Sequence, residues 1–69
     1  MMTIGEKIRA ARVAKKMTQK QLGLAIGIEG DKVAENTVQK WEYGKISPSL
    51  QYIRPLANAL NVSLDYLVP

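Results

Sequence analysis

The chain has 69 residues and a formal net charge of +4, ten Lys and Arg standing against six Asp and Glu, with neither cysteine nor histidine. A chain this short makes at most one domain, so 1–69 is expected to be a single domain with a small core. Without Cys or His there is no disulfide, no thiolate or imidazole zinc site and no imidazole base, so no enzyme chemistry, metal or cofactor is expected.

Thr3 followed by Glu6 is a capping-box pattern, and Ile4, Ile8, Ala11 and the stem of Lys15 recur at helical spacing. The first helix is therefore expected from about Ile4 to Lys16, basic on its outer side. Thr18 with Gln21 repeats the capping pattern, and Leu22, Ala25 and Ile26 form a short apolar stripe closed by Gly27. That predicts a second helix over about 19–26. A third is expected from Ala34 or Glu35 to Tyr43, with Gly44 free to take the left-handed conformation that ends it. Ser49 can cap a fourth helix carrying Leu50, Ile53, Leu56, Ala57 and Leu60, in which Pro55 calls for a bend or a tightened first turn. Ser63 can cap a last short helix over 64–68. No segment alternates in the manner of a strand, so the fold class is all-α, a compact five-helix bundle. No apolar run could span a membrane, and the start MMTIGEKIRA lacks the apolar centre of a signal peptide, so a soluble cytoplasmic protein is expected.

Charge is unevenly placed. Up to residue 22 the cations Lys7, Arg9, Arg12, Lys15, Lys16 and Lys20 face only Glu6, whereas from 29 to 45 the acids Glu29, Asp31, Glu35 and Glu42 outnumber Lys32, Lys40 and Lys45. A basic flank suits a protein that meets a polyanion on one side, although a solvated helix face would look the same.

At about 100° per residue, and with Val38 set inward, the third helix puts Trp41 and Glu42 within about 60° of the core direction. Asn36, Gln39, Lys40 and Tyr43 fall on the opposite face. An amide, a cation and a phenol above an apolar anchor are what a helix needs to meet hydrogen-bonding base edges, though an ordinary surface helix shares the pattern.

The ordered stretches TQKQLGLAIGI, TVQKWEYGK and SPSLQYIRPLANALNVSLDYL closely resemble the phage-repressor and Cro type of helix-turn-helix domain, the XRE family, over nearly the whole chain. The resemblance implies a lambda-repressor-like bundle whose second helix lies across the DNA backbone and whose third, about 34–43, enters the major groove of double-stranded DNA. It implies base contacts from Glu35, Asn36 and Lys40, with Gln39 as an addition. Asn36 suits adenine, Lys40 suits guanine, and Glu35 can accept from cytosine N4. It places Gln19 on a phosphate, unless Gln19 serves only the helix cap, and Thr37, Tyr43 and Lys45 on further phosphates. Arg12 and Glu42 match a structural ion pair between the first and third helices, and Trp41 matches the core. A homodimer on paired half-sites is also implied, with Leu64, Tyr66, Leu67 and Val68 as interface candidates; core packing would explain Leu64 and Leu67 equally well.

This sequence departs from the pattern by about five surplus positions between the second and third helices, in Glu29-Gly30-Asp31-Lys32-Val33-Ala34. A longer loop pinned by an inward Val33 is preferred, with Asp31 as an alternative early cap that would start the helix near Lys32. The acids Glu29, Asp31 and Glu35 either trade affinity for discrimination or point away from DNA; they lack the ligand spacing of a calcium loop. The function expected is sequence-specific DNA binding by a small transcriptional repressor. The rival is a protein-interaction module, such as an antitoxin or accessory factor, using the third helix and the acidic loop 29–35.

Overall fold

The computed structural model describes residues 2–27 and 33–68. They form five helices, α1 (Ile4–Ala14), α2 (Gln19–Ile26), α3 (Glu35–Glu42), α4 (Leu50–Leu60) and α5 (Leu64–Leu67), and no strand among the described residues. Ile8, Leu22, Ile26, Val38, Leu56, Leu60 and Leu67 are the largest fully enclosed side chains, so every helix contributes to one core.

Helix starts follow the side-chain chemistry in three of five cases. Thr3 and Thr18 each accept from the backbone N–H three residues on, while Glu6 and Gln21 accept from the backbone N–H of Thr3 and Thr18, so both capping boxes are complete. The Thr3 backbone N–H, joined by the Thr3 side chain, holds the exposed Glu6 carboxyl below its ordinary range. Ser63 Oγ accepts from the Tyr66 N–H at 3.1 Å and starts α5. Ser49 precedes α4 without a side-chain cap bond. There the first turn is tightened instead, the Tyr52 N–H donating to Ser49 O at 2.9 Å, and the helix runs on through Pro55.

Three of the helices end on a left-handed residue. Gly44 is left-handed at φ 79, with Lys45 N–H donating to Lys40 O and Gly44 N–H to Trp41 O, the paired bonds of a Schellman motif. The same motif closes α1 and α4 through non-glycine residues, Lys16 at φ 58 and Asn61 at φ 56. The expected closing glycine, Gly27, has φ −42 and is not left-handed. Helix α1 stops at Ala14, and Lys15 is exposed.

Two glycines occupy places assigned to other side chains or to none. A Cβ on Gly5 would lie 2.2 Å from Trp41 O, and one on Gly23 would lie 2.2 Å from Val33 O. These are the close crossings of α1 on α3 and of α2 on the segment entering α3. Gly23, not Ala25, is therefore the buried neighbour of Leu22 and Ile26, and Ala25 is exposed. Leu50, placed on the apolar stripe of α4, is 89% exposed; the buried residues of that helix are Leu56, Ala57 and Leu60.

Val33 is buried and its N–H donates to Gly23 O at 3.2 Å, fastening the chain to α2 just before α3. Helix α3 then begins at Glu35 with Ala34 as a cap that supplies no side-chain bond. The surplus positions therefore do not extend α3, and a start near Lys32 under an Asp31 cap is corrected. Glu29, Gly30, Asp31 and Lys32 themselves lie outside the described residues.

Candidate nucleic-acid interface

Val38, Trp41 and Glu42 are the buried residues of α3. Val38 is wholly enclosed, and the Trp41 ring meets Tyr52 of α4 at 5.6 Å between centroids, tilted by 51°. With that side anchored, Glu35, Asn36, Lys40 and Tyr43 are exposed, Tyr43 by 70%, and Lys45 is exposed just past the helix end. Thr37 and Gln39 are half-buried on the flanks, so Gln39 does not share the full exposure of Asn36 and Lys40. The turn spacing explains this, because 37 and 39 each sit about 100° from Val38 whereas 36 and 40 sit about 160° from it.

Beneath this surface lies a polar knot. Glu42 Oε2 accepts from Arg12 Nε at 2.7 Å and Glu42 Oε1 accepts from Arg12 Nη2 at 3.0 Å, a two-pronged ion pair whose side chains are 13% and 1% exposed. Arg12 Nη1 donates to Met17 O at 2.8 Å. Gln19 Nε2 donates to Glu42 Oε1 at 3.1 Å, so α1, α2 and α3 meet at one carboxylate, and the α1–α2 turn is tied in through Arg12. No buried side-chain nitrogen or oxygen is left without a partner among the described residues.

An open cleft of about 380 Å³ lies over this knot, walled by Arg9, Arg12, Thr18, Gln19, Glu35 and Tyr43. It joins the start of α2 to both ends of α3. The α2 capping box occupies the N–H groups of Thr18 and Gln21, while the backbone N–H groups of Gln19 and Lys20 find no acceptor among the described residues. Of the residues singled out from sequence, Gln19, Glu35 and Tyr43 thus share one surface. Arg9 and Thr18 belong to it too, and Arg9, one helical turn before Arg12 on a basic helix, is a cation that spacing could have nominated.

A family model described as helix-turn-helix matches residues 8–67. The chain belongs to the helix-turn-helix family, in its phage-repressor form. Among solved structures it is similar to the P22 c2 repressor protein, crystallised in complex with the synthetic operator 9T in the presence of Tl+. That likeness has a TM-score of 0.85 and 33% sequence identity, and covers 97% of this chain and 94% of the repressor chain. No curated protein matches the sequence. The five-helix arrangement is that of a repressor helix-turn-helix domain.

Proposed function

We propose that this helix-turn-helix domain binds double-stranded DNA in a sequence-specific manner as a transcriptional repressor, with α3 in the major groove. The observation that carries the reading is the division of α3: Val38, Trp41 and Glu42 seat it, and Asn36 and Lys40 project from the far side. The similarity to a repressor that binds an operator supports it.

On this reading Asn36 reads adenine, Lys40 reads guanine O6 and N7, Glu35 accepts from cytosine N4, and Gln39 adds a contact at the edge of the face. Gln19, Thr37, Tyr43 and Lys45 hold phosphates and set register without reading sequence. The N–H groups of Gln19 and Lys20, which have no acceptor among the described residues, and the positive end of that helix favour a phosphate beside Gln19. Two copies act on paired half-sites. Leu64, Tyr66 and Val68 are 39%, 37% and 50% exposed and remain candidates for the contact between them, whereas Leu67, at 2%, is core.

Binding energy then comes largely from Lys and Arg neutralising phosphates. A titration of the chain with random-sequence duplex is expected to give a Kd that rises by orders of magnitude from about 50 to 200 mM salt, with a linear log–log slope. Absence of duplex binding at the lowest salt would remove the reading and turn attention to a protein partner at α3.

A further inference from the structure

Glu42 is placed by its ion pair with Arg12 in the machinery that seats α3, but its third hydrogen bond has a separate consequence. Arg12 alone engages both carboxylate oxygens. The bond from Gln19 Nε2 ties α2 to that pair and also acts on Gln19. A glutamine at the start of a helix has three free side-chain torsions, and its amide can offer either a donor or an acceptor to the surface. An ionised carboxylate only accepts, so a reversed amide would set Oε1 against Glu42. Anchored through one Nε2 hydrogen, Gln19 keeps the other as a donor and lines the cleft.

We propose that Glu42 is a positioning residue for DNA binding: from beneath the surface it locks the Gln19 amide in the orientation that donates to a backbone phosphate. This inference rests on the phosphate role of Gln19 given above. It also reverses a sign. Replacing a carboxylate with a neutral amide raises the net charge by one, which by electrostatics alone strengthens binding to a polyanion. Loss of the lock weakens it.

The test is a double-mutant cycle on the full chain, with random-sequence duplex as the probe at fixed salt and the folded fraction of each variant measured by circular dichroism. Gln19→Ala is expected to weaken binding about tenfold for all sequences alike, the size of a hydrogen bond to a charged group. Glu42→Gln is expected to weaken it comparably, and the double variant to bind no worse than the weaker single one. Losses that multiply in the double variant would make Glu42 purely structural and overturn the proposal. So would a Glu42→Gln protein that binds as well as wild type or better. If Glu42→Gln does not fold, Glu42→Asp retains the charge opposite Arg12, withdraws the acceptor by one methylene and completes the cycle. In wild type the Gln19 side-chain amide protons are expected to exchange with solvent more slowly than those of exposed Gln51, and to shift when duplex is added; equal exchange rates would count against the lock. Duplex binding by wild type that Gln19→Ala leaves unchanged would overturn this inference while sparing the DNA-binding reading, and no binding by wild type would remove both.

Discussion

At Lys16 a strained backbone and a positive charge fall on one residue. It closes α1 in the left-handed region, where a side chain meets the following carbonyl, a conformation costing about 1–2 kcal/mol outside glycine. Lys16→Gly would remove that strain and add back the greater chain entropy of glycine, about 0.5–1 kcal/mol. The expected net is a gain of up to about 1 kcal/mol in a urea titration, together with weaker duplex binding and a shallower salt slope from the lost cation. A less stable variant would mean that the Lys16 side chain contributes contacts which outweigh the backbone strain. The positions at 36, 40 and 43 were legible in sequence because a single inward marker, Val38, orients the whole helix. The Gln19–Glu42 bond was not, since it joins residues 23 apart on different helices and depends on how α2 crosses α3.

At the scale of elements, α1, α2 and α3 could be placed to within about two residues because their starts carry Thr boxes or an acid, and their apolar spacing is regular. The geometry that ends each helix was less legible: α2 stops before Gly27 as expected but without a left-handed turn there, and α1 makes its left-handed turn at Lys16. The close crossings at Gly5 and Gly23 were also hidden, because a glycine inside a helix reads as a weakness until the neighbouring backbone is seen. Gly23→Ala tests this. Alanine is favoured over glycine in a helix interior by about 1 kcal/mol. Here its Cβ would strike backbone at Val33, an overlap that costs about 1–3 kcal/mol or more and strains the bond that fastens the entry to α3. A lower denaturation midpoint is expected; a raised one would mean that the segment before α3 yields freely and does not fix its position.

Across the whole molecule, a core drawn from all five helices and a polar knot at Glu42 hold a small domain in one arrangement. The knot joins three helices at a side chain only 1% exposed, so removing either member of the ion pair leaves an unmatched buried charge, typically a loss of about 3–5 kcal/mol. That seating leaves Glu35, Asn36 and Lys40 exposed on the outer side of an anchored α3. The most direct test of the account is to select bound sequences from a random duplex pool with the wild-type chain and with Lys40→Ala. One enriched motif is expected, in two half-sites about 10–10.5 base pairs apart, with Lys40→Ala relaxing the preference at a single guanine in each. A wild-type pool that enriches no motif, or a Lys40→Ala motif identical to the wild-type one, would contradict it.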